Sequence, residues 1–278
     1  MEIFFILTMF FVGTVFGSFF TLAVYRIPLG KNITHERSFC PKCSHRLEFK
    51  DLIPVFSYIF LKGKCRYCGE KVRPRYLILE ILSGIVFVLA YISVKINILG
   101  IVYLYLGVNY ENTVEKLIYL LAFICFYITN AIIIGIDNEN RQINKKVLMF
   151  GIITQAIYIL YLYIVNGQNI YRYGIYLIML IIVGVYNLCT HEKKYIFQIL
   201  MYLLYIITFI GFENLIILIP ALVVFWAINK FYINIQKNNI NKCVGVDVYI
   251  DPQKTIPMGF CVGIAAIIIA LISNFINI

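Results

Sequence analysis

Long apolar stretches separated by short polar connectors dominate this chain. Stretches close to the ~20 residues a helix needs to cross a hydrocarbon core run over 3 to 24, 77 to 95, 117 to 136, 147 to 165, 173 to 189, 195 to 211, 213 to 232 and 256 to 276. The pattern predicts an all-α polytopic membrane protein with about eight transmembrane helices. The pair divided by the Gly211, Phe212, Glu213, Asn214 turn is short and closely spaced, and residues 96 to 110 are apolar enough to form an interfacial or re-entrant piece.

Composition agrees with that pattern. Of 278 residues 62% are hydrophobic and 14% charged, where a soluble domain carries about 25% charged residues. A soluble enzyme, a disordered tail and a secreted disulfide scaffold are therefore excluded. The net charge of +10 changes the picture through its placement. Segments 25 to 76, 137 to 146, 190 to 194 and 230 to 255 hold 21 of the 24 Lys and Arg, and only Lys95, Lys116 and Arg172 fall on the other side. By the positive-inside rule these four segments are cytoplasmic and both termini lie outside, in a multi-pass protein of the cell membrane. Met1 and Glu2 open the first span without a basic leader and Arg26 follows it, which reads as a retained anchor and not a cleaved signal peptide. The basic residues are spread over four loops, which is a poor fit to nucleic-acid binding. The spans carry almost no ionisable residues except Glu80, which is a poor fit to an ion-coupled transporter.

The organisation expected is a first transmembrane helix at 1–24, a cytoplasmic cysteine-rich domain at 25–76 and a multi-helix membrane domain at 77–278. No internal repeat is visible, and "NIQKNNINK" at 234 to 242 is a polar connector. The middle piece is too small to bury a large core unaided, so it needs a metal or close packing on the membrane helices. It contains Cys40-x-x-Cys43 and, after 21 intervening residues, Cys65-x-x-Cys68. Two such knuckles bring four thiolates to one tetrahedral zinc ion. A reducing cytoplasmic location argues against disulfides, and the other reading is two unrelated pairs or a redox dithiol. Four thiolates leave no position for water, so the zinc is expected to be structural. Cys125, Cys189, Cys243 and Cys261 have no partner at ligand spacing.

At these residues the chain resembles a known family. "GSFFTLAVYRIP" at 17 to 28, "RSFCPKC" at 37 to 43, "DLIPVFSYIFLKGKCRYCGEKVRPRY" at 51 to 76 and Glu80 are similar, in order and spacing, to the amino-terminal part of the type IV prepilin peptidases. These are membrane aspartic proteases of pilus, type II secretion and competence systems. The resemblance is strong over 13 to 80 and moderate around 130 to 150 and 256 to 266, and Thr21 stands where the family usually has Asn. It implies cleavage of the leader of prepilin or pseudopilin precursors, and a second activity, methylation of the new amino-terminus from S-adenosylmethionine. No glycine-rich cofactor loop of the Rossmann type is present to support the latter.

Carboxylates carry the candidate chemistry. His35, His45 and His191 are scattered over cytoplasmic loops, and no Ser-His-Asp ordering or HExxH stands out. An aspartic protease needs two carboxyl groups that share a proton, one activating water and the other protonating the scissile carbonyl. Asp137, in "IIIGIDNENRQINKKVL", lies where the third span meets the cytoplasm. Alone it reads as a polar residue ending a helix; the resemblance makes it the first catalytic aspartate, although Ile143-Asn144-Lys145 lacks the family's proline. Span order places Glu192, in "CTHEKKY", on the second, with both motif glycines lost. Its longer side chain shifts the carboxyl by roughly an ångström, a displacement able to cost about a hundredfold in rate. Asp247, in "CVGVDVYID" ahead of "IPMGF" at 256 to 260, is the alternative second carboxylate. A catalytically degenerate homologue that binds pilin-like helices or an assembly partner is the competing reading of the whole chain.

Overall fold

The computed structural model describes residues 2–33, 38–96, 98–108, 112–165, 169–189, 195–220, 222–224, 226–228, 230–231 and 257–276. The chain divides into two compact units, Met1–Ile124 and Cys125–Ile278. The helices are α1 (Glu2–Arg26), α2 (Phe56–Phe60), α3 (Arg75–Val94), α4 (Ile98–Tyr105), α5 (Thr113–Asn140), α6 (Lys145–Val165), α7 (Ile170–Cys189), α8 (Tyr195–Ile210), α9 (Phe212–Ile228) and α10 (Met258–Ile276). The all-α, multi-pass architecture with a cysteine cluster between the first two long helices is as the sequence pattern predicts.

The predicted number of spans is not reproduced. Among the described residues five helices, α1, α3, α5, α6 and α7, are long and apolar enough to cross a bilayer, or six if α8 and α9 form one bent span. The expected separate spans 195 to 211 and 213 to 232 meet at a 111° bend. Gly211 makes the bend with φ +86, a conformation that disfavours a residue with a Cβ. It is held from α7, where Arg172 pairs with Glu213 at 2.9 Å and the Tyr176 hydroxyl accepts the Phe212 N–H at 3.2 Å. Apolar periodicity alone cannot reveal such a clamp. The expected last span, 256 to 276, is present as a shorter apolar helix. The apolar piece at 96 to 110 is the short α4, ended at Gly107 with φ +82.

In the amino-terminal unit α1 lies along α3, and glycine sets how closely. A Cβ on Gly13 would stand 2.6 Å from the Ser83 carbonyl oxygen, and one on Gly17 would stand 2.8 Å from the Glu80 Cα. In lipid, apolar burial does not distinguish a helix neighbour from an acyl chain, so backbone approach through small residues at i and i+4 drives association. Phe16 stacks on Phe87 at 5.4 Å beside this contact. The opposite face of α1, including Ile3, Phe4, Leu7 and Phe11, is exposed.

In the carboxy-terminal unit α8 is the central helix, packing on α6, α7 and α10. Tyr202, Tyr205 and Ile206 are completely buried on it. Polar groups on α8 tie neighbouring helices: Tyr202 donates to Asn130 Oδ1, and Thr208 accepts from Gln155 Nε2 at 2.7 Å. Phe209 stacks on Phe126 of α5 with centroids 4.1 Å apart.

Gly17→Leu should destabilise the protein by more than about 2 kcal/mol, because the atoms in the way are backbone and cannot rotate aside. Gly174→Leu is the control, since nothing lies within 4 Å of a Cβ there. Thermal unfolding in detergent is the measurement: a clear fall in midpoint is expected for the first and almost none for the second.

Candidate functional site

The cysteine domain forms two knuckles with the same backbone plan. The Cys40 N–H donates to the His45 carbonyl at 3.0 Å, and the Ser44 N–H returns to the Cys40 carbonyl at 2.8 Å. Cys65 repeats this with the Glu70 carbonyl at 2.7 Å and the Gly69 N–H at 3.0 Å. The fifth residue of each turn has positive φ, +56 at Ser44 and +71 at Gly69. Each knuckle thereby turns two thiols to the same side, and the four sulfurs of Cys40, Cys43, Cys65 and Cys68 lie within 4.8 Å of one another. Cys40 and Cys68 sulfurs are 3.8 Å apart, which matches the edge of about 3.8 Å for a tetrahedron with Zn–S bonds of ~2.3 Å.

The charges in this cluster call for a cation. A hydrogen bond from the Cys43 backbone N–H is the main cause holding the Cys40 thiol down at about 7. At Cys68 the Glu70 N–H pulls downward, but local desolvation and hydrogen bonds with the other three thiols together push the group up to about 12. A divalent metal bound among the four sulfurs would supply the positive charge that lets them act as thiolates together.

Side chains lock the knuckles to the rest of the domain. Lys42 of the first pairs with Glu70 of the second. Asp51, whose side chain is almost fully buried, accepts from Arg66 Nε at 2.6 Å, the Tyr67 hydroxyl at 3.1 Å and the Glu48 N–H at 3.1 Å. Burial opposes ionisation of Asp51, but Arg66 and the two other donors outweigh it and keep the carboxyl below its ordinary value. His45 packs against the Tyr67 ring at 3.6 Å, as a loop residue.

The second centre surrounds Asp137, three residues from the end of α5 and completely buried among the described residues. Its Oδ1 accepts from the Tyr195 hydroxyl at 2.7 Å, and its Oδ2 accepts from the Phe260 N–H at 3.0 Å. The Tyr195 hydroxyl itself accepts the Met258 N–H at 3.0 Å. The carboxylate thus meets the first turn of α10, where unpaired N–H groups and the helix dipole favour negative charge. Gly259 makes room: a Cβ there would lie 3.0 Å from Asp137 Oδ2. That accounts for glycine in "IPMGF".

The turn after Asp137 is also fixed. Asn144 Oδ1 caps α6 by accepting the Lys146 N–H at 3.0 Å, a helix-start role that needs no proline. Gln198, one turn along α8 from Tyr195, accepts the Ile143 N–H at 3.2 Å, and Asn187 donates to the Lys145 carbonyl at 3.0 Å. Glu192 and Asp247, the two candidates for a second carboxylate, lie outside the described residues, as do His35, His191 and Cys243. The cysteine quartet comes together; Cys125, Cys189 and Cys261 lie outside it and are not joined in disulfides. Tyr195, Gln198 and Gly259 were not singled out from the sequence as site residues. The spacing of Tyr195, Gln198, Tyr202 and Tyr205 on an otherwise apolar helix is the signal that could have found the first two.

Comparison with known proteins supports the same family. Residues 11–94 match the Bacterial Peptidase A24 N-terminal domain. A prepilin leader peptidase/N-methyltransferase of Klebsiella pneumoniae is 41% identical over 88 residues, 30% of this chain and 39% of that protein. The protein of that name in Bacillus subtilis is 38% identical over 90 residues, 32% of this chain and 36% of the relative. That in Myxococcus xanthus is 38% identical over 79 residues, 28% and 24%. The matches span well under half the length of these relatives. No solved structure matches the chain. The resemblance to the prepilin peptidases therefore stands, carried by the amino-terminal third.

One zinc per chain is expected in the purified protein by elemental analysis, and Cys68→Ser should lose most of it although Cys68 is exposed. Structural zinc of this kind contributes on the order of 10 kcal/mol of apparent binding free energy, so a strong chelator should lower the unfolding midpoint. Bound thiolates must be deprotonated, so zinc affinity should fall as pH is lowered.

Proposed function

We propose that this chain, whose amino-terminal third is that of a prepilin peptidase, is a membrane-embedded aspartic endopeptidase that removes the leader from prepilin-like or pseudopilin precursors. The observation that carries the reading is Asp137: a buried carboxylate at the end of a membrane helix, oriented by Tyr195 and by the first turn of α10. Its partner in the reaction is Glu192, with Asp247 the alternative. One carboxyl of the pair is ionised and takes a proton from the attacking water, and the other donates a proton to the scissile carbonyl. Tyr195 and the Phe260 N–H hold Asp137 in one orientation, which is the pre-organisation such a step requires.

In this reading residues 1–24 form the first anchor, 25–76 the cytoplasmic zinc domain and 77–278 the peptidase domain, with both termini outside. Cys40, Cys43, Cys65 and Cys68 hold a structural zinc ion. The substrate's apolar helix lies in the bilayer against the spans, so its leader reaches the cytoplasmic rim that carries Asp137. Methylation of the new amino-terminus from S-adenosylmethionine is a second activity within the proposal, with no residue assigned to it.

One observation favours a second reading, a non-cleaving homologue that binds pilin-like helices or an assembly partner. Asp137 already acts as a cap for α10, which is sufficient employment for a buried carboxylate.

Coexpression with a prepilin-like precursor separates the two readings. Asp137→Asn should lower leader removal by at least about a hundredfold, the scale of losing a reacting group, while membrane abundance stays near that of the parent. Glu192→Gln and Asp247→Asn, compared in the same assay, identify the second carboxylate. Unchanged processing by the Asp137 variant would falsify the mechanism, and no processing by the parent favours the homologue that only binds.

A further inference from the structure

The cysteine domain holds a surface that neither the zinc centre nor the proposed chemistry uses. Phe49 is 85% exposed and Phe60 79%, and Leu52, Phe56 and Ile59 are exposed with them. Phe56, Ile59 and Phe60 share one face of α2, at i, i+3 and i+4. Tyr58, on the other side, turns inward and donates to the Val72 carbonyl at 3.3 Å. α2 is thus a single amphipathic turn, and the 3-10 turn Phe49–Asp51 packs beside it.

The position of this face relative to the bilayer follows from one contact. Val55 is the centre of a γ-turn with φ +64 and ψ −54, closed by the Phe56 N–H on the Pro54 carbonyl at 2.6 Å. Its own N–H donates to Glu80 Oε2 at 2.7 Å, and Glu80 is buried on α3. Glu80 is the sixth residue of that helix, about 7.5 Å along the axis from its start at 1.5 Å per residue. The start of α2 is therefore held at the depth where the span enters the membrane. Ile78, Leu79 and Leu82 of α3 are exposed at the same level, so the helix presents apolar side chains outward at this depth. Charge agrees: residues 25 to 76 carry twelve Lys or Arg against four Asp or Glu, and exposed Lys62 and Lys64 directly follow α2.

We propose that residues 49–60 form an interfacial anchor that lies in the cytoplasmic leaflet. Phe49, Phe56, Ile59 and Phe60 enter the boundary between headgroups and acyl chains, and Lys62 and Lys64 meet the phosphates of anionic phospholipid. An amphipathic element of this type binds by buried apolar area plus attraction to anionic lipid. The anchor does not depend on the peptidase reading, because every residue in it belongs to the zinc domain and α3.

The chain has one tryptophan, Trp226, so a single reporter can be installed. The full-length protein carrying Trp226→Phe with Phe60→Trp is reconstituted in nanodiscs of phosphatidylcholine with or without phosphatidylglycerol, zinc content verifying the fold. The expected result is blue-shifted emission, severalfold protection from acrylamide, and strong quenching by lipids brominated near the glycerol end of the chain. Phosphatidylglycerol should deepen that quenching in this protein but not in one also carrying Lys62→Gln and Lys64→Gln. Ile59→Trp in place of Phe60→Trp should give the same pattern. Water-accessible emission insensitive to bromolipid at both positions overturns the proposal. Protection that arises only with added prepilin, or only at raised protein concentration in detergent, also overturns it by assigning the face to a protein. Quenching indifferent to phosphatidylglycerol in all variants overturns the phosphate contact.

Discussion

A carboxylate at the edge of a bilayer has little water to solvate it, and the architecture around Asp137 follows from that constraint. The negative charge needs donors, and the nearest source is the set of unpaired N–H groups that opens any helix. α10 therefore begins where it does, with the Phe260 N–H on Asp137 and Gly259 leaving room for the carboxyl. Tyr195 completes the arrangement by donating to Asp137 while accepting from Met258, so one hydroxyl ties α5, α8 and α10. The same economy extends down α8: Gln198 satisfies the Ile143 N–H and Tyr202 satisfies Asn130. The Asp137–Tyr195 and Asn130–Tyr202 pairs each join α5 to α8, which fixes the rotation of the two helices as well as their proximity.

The amino-terminal unit solves a similar problem with different means. A domain of about fifty residues has too little core to hold itself, and the unit supplies two substitutes. Four thiols converge on one point with the spacing of a metal tetrahedron, and Glu80 takes the N–H of a backbone turn that would otherwise be costly to hold. Glu80 also lies at a close approach of α1 and α3, where Gly17 meets its Cα. The helix pair, the loop and the metal knuckles are thus bound together over a short stretch of chain. That stretch is where the identity to known prepilin peptidases is concentrated.

What the sequence disclosed tracks how local each signal is. The cysteine spacings specify a metal site because ligand geometry is encoded within four residues, and α1, α3, α5, α6 and α7 are readable because each is a full apolar length. The turn at Gly211 is readable but its sharp angle is not, since that depends on Arg172 and Tyr176, some forty residues away. Asp137 was legible as a candidate, but its partners Tyr195 and Phe260 come from distant helices and carry no acidic or basic signature. Gly13 and Gly17 show their spacing openly, yet only the structure reveals that α3 backbone fills the space beside them. Glu192 and Asp247 illustrate the limit: two carboxylates in polar connectors cannot be ranked by local pattern when the motif glycines are missing.

Capping and catalysis at Asp137 are compatible, and the count of acceptor sites shows why. A carboxylate offers about four lone-pair positions. Tyr195 takes one on Oδ1, and Phe260 takes one on Oδ2. The Gly259 N–H also acts on the carboxylate, which leaves about one position for a proton shared with a second carboxyl. The donors already present fix the plane of the group, so the remaining position has a defined direction. With asparagine here one oxygen still accepts, but the amide NH2 then faces the second donor, so a purely structural cap is weakened as well. The Asp137→Asn comparison therefore reads the loss of a proton acceptor when membrane abundance stays near that of the parent, since a weakened cap alone lowers abundance and processing together.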